Sequence, residues 1–312
     1  MAHITFIHGI GNKPAADDLL RLWNRLLASG DGGIDLGAEG ITAEMVYWAD
    51  VMYAEPSVDG GSHESADTTM DLDEPELDVD SMSEAAASDE EVWMSSLRGK
   101  LNFDAEGDDE FTPPMEDIGA EFERIPIPWA IKRRLMKVFL RDVHHYLFNT
   151  ESVPREKSFA TQDEIRLRFV DAVKRGADRE GPHIVIAHSM GTVISYDCLK
   201  RVDDCPAVDG YMTIGSPLGL DEIQDKLQPG WSRDDGFPSE RVRGDWVNVY
   251  DRLDAVAGLD PAIANDFRRG GESTVMDVHQ SNPGAWRHDA GKYMAGALFR
   301  EQLSRMLGFS DV

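Results

Sequence analysis

The sequence predicts an α/β fold with a mostly parallel sheet and helices on both faces. Three observations support this prediction. Short apolar runs rich in β-branched residues, such as residues 184–187, are typical of strands that are buried on both faces. These runs alternate along the chain with longer segments whose apolar residues recur at helical spacing. The 312 residues, 41% of them hydrophobic, are enough for one large domain with an insertion.

The first 50 residues predict a strand, a helix and a second strand. Residues 4–7 are an apolar run that ends in the sequence His-Gly-Ile-Gly-Asn. Residues 15–28 carry leucines and a tryptophan at helical spacing, and the two acidic residues of the first turn suit the helix dipole. Residues 41–49 are rich in β-branched and aromatic residues, which favours a strand.

Residues 51–124 interrupt this alternation. Between Glu55 and Glu123 the chain has 23 acidic and two basic residues, a net charge of −21, whereas the remainder carries −6. High charge with little periodicity predicts a flexible, loosely packed insertion that is dispensable for folding. The acidic run at residues 71–80 lacks the spacing and the glycine of an EF-hand loop, so we expect a solvated loop there and no metal site.

Residues 125–159 form the next unit, a helical cap or lid segment. Residues 126–149 combine a broad apolar face with five basic residues, which predicts an amphipathic cationic helix. Two interpretations are open: a lid over the functional site that contacts lipid, or a helix packed on the body with its charges in water. The basic residues also offer the acidic insertion an electrostatic contact that salt weakens.

The strand and helix alternation resumes near residue 160 and continues to the end. We therefore assign residues 1–50 and 160–312 to one core domain. In order, the predicted elements of its second part are a helix at 161–176, strands at 184–187, 208–214, 246–250 and 274–279, a helix at 192–200 that follows the first of these strands, and a closing helix at 291–307.

Ser189 lies between a predicted strand and a predicted helix, in the sequence Ala-His-Ser-Met-Gly. A tight turn at this place holds a serine in a strained backbone conformation, and the small residues Ala187 and Gly191 leave room for it. The pentapeptide is a variant of G-x-S-x-G, the turn that presents a nucleophilic serine. A serine that merely caps the helix is the alternative.

Two motifs together resemble the lipase and carboxylesterase branch of the α/β-hydrolase superfamily. They are A-H-S-M-G after I-V-I and H-G-x-G after the first strand. The resemblance covers residues 1–50 and about 160–312. It implies a serine hydrolase that cleaves acyl esters with Ser189 as the nucleophile, and it assigns the oxyanion hole to the backbone N–H groups of Ile10 and Met190. It implies no cofactor and no metal.

An acid and a histidine complete such a site, in the chain order serine, acid, histidine. The loop after the strand at 246–250 offers Asp254 and Asp251. We favour Asp254, because its D-x-V sequence resembles the acid loop of this branch, and keep Asp251 as the alternate. His288, in the loop before the closing helix, is the preferred base, and His279, at the end of the last strand, is its alternate.

The composition of the chain disfavours several classes of binding partner. The net charge of −27 argues against nucleic acid and anionic membrane surfaces. Two cysteines, Cys198 and Cys205, do not make a disulfide scaffold, and no signal peptide or membrane span is recognisable, so we expect a cytoplasmic protein. The expected substrate is a small-molecule or lipid-like acyl ester. A thioesterase or an amidase on the same residues, or a degenerate hydrolase that serves as an interaction module, are the alternatives.

Overall fold

The computed structural model describes residues 1–58, 88–101, 129–284 and 286–309. Its strands are β1 (His3–Ile7), β2 (Thr42–Val46), β3 (Glu151–Ser152), β4 (Phe159–Ala160), β5 (His183–His188), β6 (Gly210–Ile214), β7 (Trp246–Tyr250) and β8 (Met276–His279). Six of them form a sheet in the order β2-β1-β5-β6-β7-β8, in which every neighbouring pair is parallel. The strands β3 and β4 form a separate antiparallel pair.

Helices cover both faces of this sheet. Within the described residues they are α1 (Ala16–Ala28), α2 (Ser88–Lys100), α3 (Trp129–Leu147), α4 (Thr161–Ala177), α5 (Met190–Arg201), α6 (Asp221–Gln224), α7 (Ala290–Ala295) and α8 (Ala297–Leu307). Helices α1, α7 and α8 bury their apolar side chains in one cluster, and α2, α3, α4 and α5 bury theirs in another. The predicted α/β fold is therefore confirmed.

Strand β5 shows why the sheet is buried on both sides. All six of its residues are buried, and its side chains alternate between the two clusters: Ile184 and Ile186 join one, while Val185 and Ala187 join the other. Successive side chains of a strand point to opposite faces, so a continuous apolar run fits a strand between two layers of helices.

The strand order reverses direction at one end of the sheet. The chain leaves β1 to form β2 on one side of it, and returns later to form β5 on the other side. The carboxyl ends of β1 and β5 therefore meet at a topological switch point, where ligands bind in open α/β sheets. His8 and Gly9 follow β1 at this point, and Ser189 follows β5.

Helix α2 corrects the expectation for the acidic insertion. Residues 88–100 are helical, and Trp93, Met94, Leu97 and Leu101 are at most 5% exposed in the larger cluster. The Trp93 indole also donates a hydrogen bond of 2.7 Å to the backbone oxygen of Glu222. Loose packing is therefore wrong for this stretch, because its apolar residues have a body to pack against. The rest of the predicted flexible insertion beyond residue 58 lies outside the described residues.

Helix α3 packs on the body along the part whose side chains are described. Leu140, Val143 and Tyr146 have no exposed surface, and the Tyr146 hydroxyl donates to Asp197 on α5 at 2.7 Å. This agrees with the interpretation of a packed helix. Contact with lipid through residues 126–149 stays a prediction.

The single closing helix predicted at 291–307 is broken into two helices, α7 and α8. The break falls at Gly296, whose ψ of 143° is not helical. A Cβ atom at this position would lie 2.0 Å from the amide of the Gln280 side chain, which would have to move to make room for it. The amide of Gln280 takes up the freed backbone groups: it donates to Tyr293 O and accepts from Phe299 N, both at 3.0 Å.

Across the described ranges, no helix has the length and apolar character needed to span a bilayer.

Candidate active site

Ser189 occupies the turn between β5 and α5. Its backbone has φ 54° and ψ −127°, a region that residues with a Cβ atom rarely adopt. Although it stands at the N-cap position of α5, its side chain makes no capping hydrogen bond. Its backbone N–H donates to Ile214 O at 3.0 Å, which ties the turn to β6. The turn is thus strained and held from outside, unlike an ordinary helix start.

Two glycines let the backbone close around this turn. A Cβ atom at Gly191 would lie 2.7 Å from His8 O, so α5 approaches the loop after β1 directly. A Cβ atom at Gly9 would lie 2.7 Å from the Cβ of Ser189. Both distances are below any real contact of a Cβ atom, and the loop after β1 therefore rests on the serine itself.

His288 lies in the loop between β8 and α7 and reaches Ser189. Its Nε2 is 2.8 Å from Ser189 Oγ, and its Nδ1 is 2.8 Å from each carboxylate oxygen of Asp254. The carboxylate only accepts, so Nδ1 carries the proton and Nε2 accepts the serine O–H. The three side chains form one continuous chain of hydrogen bonds. His288 is 99 positions from Ser189 and 34 positions from Asp254 in the sequence.

Asp254 lies in the loop after β7 with no exposed surface. Its Oδ1 accepts the backbone N–H groups of Val256 at 2.8 Å and Ala257 at 3.0 Å. Burial alone would raise the pKa of this carboxyl, but His288 and these donors hold it below its ordinary value. The aspartate is therefore ionised at neutral pH and oriented towards the imidazole.

Tyr293 also holds Asp254, and it belongs to none of the motifs in the sequence. Its hydroxyl donates to Asp254 Oδ2 at 2.8 Å and accepts the Asp251 N–H at 3.0 Å. Beside it, a Cβ atom at Gly215 would lie 3.2 to 3.3 Å from Tyr293, Asp254 and His288. The only sequence signal for Tyr293 is its place five residues after His288, on the helix that follows this loop.

The structure places the two alternates elsewhere. The Asp251 carboxylate accepts the Asn282 N–H at 2.6 Å and pairs with Arg287 at 3.0 Å, and these contacts fold the loop that carries His288. His279 lies exposed on the edge strand β8, with its ring 5.4 Å from that of Tyr250. Asp254 and His288 are the pair that meets Ser189.

The two predicted oxyanion donors belong to residues next to the serine turn and to the loop after β1. Met190 follows it as the first residue of α5, and the N–H groups of a first helical turn have no partner within the helix. Ile10 follows Gly9 in the loop that rests on Ser189. Both residues are buried.

Two other buried histidines support the site. His8 Nδ1–H donates to Gly9 O at 2.8 Å, and its Nε2 accepts the Trp48 N–H at 3.1 Å. His188 Nε2–H donates to the backbone oxygen of His288 at 2.8 Å. Burial lowers the pKa of both rings well below the usual value, so both are neutral at pH 7. Both rings form hydrogen bonds with backbone groups, and neither is hydrogen-bonded to the serine hydroxyl as a base would be.

The assembled site is closed. Ser189 and Asp254 have no exposed surface, and His288 is 3% exposed. A substrate carbonyl therefore reaches the hydroxyl only when neighbouring groups move apart. No group of three or more histidine, cysteine or acidic side chains among the described residues is placed to hold a metal ion.

Comparisons with known proteins add little to this geometry. No protein-family model matches the chain, and no curated protein matches it significantly. A crystal structure of an uncharacterized protein from Pseudomonas aeruginosa aligns over 98% of this chain and 46% of its own, with 9% identity and a TM-score of 0.34. Acetyl xylan esterase 1 from Thermoanaerobacterium sp. JW/SL YS485 aligns over 100% and 75%, with 10% identity and a TM-score of 0.32. The chain thus spans about half the length of the first structure. Similarities at these scores support no conclusion about function.

Proposed function

We propose that this protein is a serine hydrolase that cleaves carboxylic esters through an acyl-enzyme intermediate. The observation that carries the proposal is the hydrogen-bonded chain Ser189–His288–Asp254, with the serine on a strained turn between a strand and a helix. The same turn and the His-Gly-x-Gly loop resemble lipases and carboxylesterases of the α/β-hydrolase superfamily.

The geometry suits acylation. Ser189 Oγ attacks the ester carbonyl while His288 Nε2 takes its proton across 2.8 Å. Asp254 stabilises the resulting imidazolium, and the N–H groups of Ile10 and Met190 bind the oxyanion of the tetrahedral intermediate. The imidazolium then protonates the leaving alkoxide. This leaves the acyl group on the serine.

Deacylation repeats these steps with water. His288 removes a proton from the water as it attacks the acyl carbon, and returns the proton to Ser189 as the acid is released. All of these roles fall to side chains and backbone groups of the chain. The proposed chemistry therefore needs no cofactor and no metal.

The test is hydrolysis of p-nitrophenyl esters from acetate to palmitate, with a p-nitrophenyl thioester analogue and an anilide alongside. We expect the wild-type protein to hydrolyse esters fastest, and Ser189→Ala to lower the rate by about 10⁴-fold or more. Ser195→Ala is the matched control: this buried serine of α5 bonds Tyr211 at 2.7 Å and should be dispensable for hydrolysis. Equal rates for wild type and Ser189→Ala would contradict the proposal.

A further inference from the structure

The loop after β1 contains a peptide group that is held at both ends by charged side chains. The Ile10–Gly11 peptide offers its carbonyl to the Lys13 ammonium and its N–H to Asp142 Oδ2, the latter at 2.8 Å. Lys13 and Asp142 both have no exposed surface. Hydrogen bonds to charged groups are the strong ones, especially away from water. The plane of this peptide is therefore fixed by two buried charges of opposite sign.

The preceding peptide is fixed as well. In the Gly9–Ile10 peptide, the carbonyl accepts the His8 Nδ1–H at 2.8 Å. The N–H of the same peptide is that of Ile10, and it points opposite to the carbonyl because the peptide is planar and trans. The two peptides share the Cα of Ile10. Hydrogen bonds to both peptides fix the direction of the Ile10 N–H. Without them, the glycines on either side would let the loop rotate.

Two further side chains donate hydrogen bonds to the Asp142 carboxylate. Its Oδ1 accepts from the Arg141 guanidinium at 2.7 and 2.9 Å, and the Tyr53 hydroxyl donates to its Oδ2 at 3.1 Å. It lies on α3 between Leu140 and Val143, which anchor the helix in the core. A buried carboxylate is costly unless it is paired in this way. The pairing keeps the charge in place beneath the loop.

We propose that Asp142 and Lys13 are positioning residues that hold the Ile10 N–H in the direction of the oxyanion. The inference rests on the proposed function, since it assigns an oxyanion to Ser189. It makes α3 a fixed part of the active site: if the helix moved away as a lid, the Gly11 N–H would lose its acceptor and the Ile10–Gly11 peptide could turn. The Gly9–Ile10 peptide, which carries the Ile10 N–H and shares the Ile10 Cα, would then be held only through its own carbonyl, and the donor could turn away from the oxyanion.

The experiment compares Asp142→Ala with Asp142→Asn. We expect Asp142→Ala to lower kcat about 10²-fold, the usual effect of losing one oxyanion donor, with KM changed less than about threefold. Inhibition by an alkyl boronic acid, which forms a tetrahedral adduct on the serine, should weaken in parallel with kcat. Asp142→Asn keeps an oxygen that can accept the Gly11 N–H, and should recover most of the lost kcat.

Asp197 provides the matched control. Like Asp142 it is a fully buried carboxylate that binds guanidinium groups and a tyrosine hydroxyl. Arg166 donates to it at 2.7 and 2.9 Å, Arg201 at 2.9 Å and Tyr146 at 2.7 Å. Within the described ranges, its hydrogen bonds go to α3, α4 and α5 and none goes to the loop after β1. Asp197→Ala should therefore lower the free energy of unfolding and leave kcat and boronic acid inhibition unchanged.

Each result has one meaning. If the wild-type protein hydrolyses esters through Ser189 and a folded Asp142→Ala keeps its kcat and boronic acid inhibition, the inference fails while the proposed function stands. The inference also fails if Asp142→Ala raises KM by the same factor as it raises the inhibition constant of the boronic acid. In that case the substitution weakens substrate and tetrahedral adduct equally. If Asp142→Ala does not fold, Lys13→Met decides: a kcat loss with constant KM supports the inference, and an unchanged kcat overturns it. Absence of hydrolysis in the wild type refutes the proposed function itself.

Discussion

The strained backbone of Ser189 makes stability and activity oppose each other at one residue. With φ 54° and ψ −127°, the conformation suits glycine and disfavours any residue with a Cβ atom, by about 1–3 kcal/mol. Ser189→Ala and Ser189→Gly both remove the hydroxyl and should both be inactive. They differ only in the Cβ atom, so comparing the two isolates the strain.

The expected difference follows from two opposing effects. Glycine relieves strain of about 2 kcal/mol, but costs about 1 kcal/mol through the greater freedom of the unfolded chain and the lost burial of a methyl group. We expect Ser189→Gly to be more stable than Ser189→Ala by about 1 kcal/mol in urea unfolding. At Ser195, inside α5, the sign should reverse, because glycine weakens an ordinary helix interior by about 1 kcal/mol. A Ser189→Gly variant that is less stable than Ser189→Ala would refute the reasoning.

Asp254→Asn should lower kcat about 10⁴-fold in a folded protein, because the amide cannot stabilise a His288 imidazolium; steady-state kinetics with circular dichroism checks both parts, and a loss below tenfold would contradict it. Gly9→Ala should reduce the fraction of protein molecules whose Ser189 is acylated in an active-site titration, since the added Cβ would lie 2.7 Å from that of Ser189. A burst of one product molecule per protein molecule would contradict this. Burial lowers the pKa of His183 to about 4. Between pH 6.5 and 4 the unfolded chain binds a proton that folded His183 does not. The free energy of unfolding should therefore decrease as the pH is lowered, by up to about 1.4 kcal/mol per pH unit. If His183→Gln shows the same dependence of unfolding free energy on pH, this prediction is wrong.

The fold and the serine turn could be predicted from sequence because their signals are local. An apolar strand, a serine between small residues and a following helix occupy 19 consecutive residues, from His183 at the start of β5 to Arg201 at the end of α5. Such a stretch shows its own burial pattern and needs no distant partner to be recognised. The role of the loop after β1 depended on a second short motif of the same kind.

The contacts of Tyr293 with Asp254 and of Gly11 with Asp142 could not be predicted in this way. Tyr293 is 39 positions from Asp254 and Gly11 is 131 positions from Asp142, and no spacing rule connects residues so far apart. Both bonds arise only when helices pack against the sheet. Sequence reasoning therefore proposes the serine turn and its acid and base, and the structure shows what holds them.

Helix α2 illustrates a different failure. The acidic residues around it dominate the composition of residues 51–124 and predict a flexible segment. Within that stretch Trp93, Leu97 and Leu101 recur every four residues, with Met94 beside them, and this spacing is helical. The structure buries all four. A short apolar stripe is diluted when charge is averaged over a long window.

The central claim is that Ser189 is the covalent nucleophile. Labelling the protein with a fluorophosphonate probe, followed by mass spectrometry of the proteolytic peptides, tests it most directly. We expect a single adduct on the peptide that contains Ser189, no adduct in Ser189→Ala, and strongly slowed labelling in His288→Ala, because the base is lost. An adduct on another residue, labelling that persists in Ser189→Ala, or no labelling of the folded wild-type protein would contradict the claim.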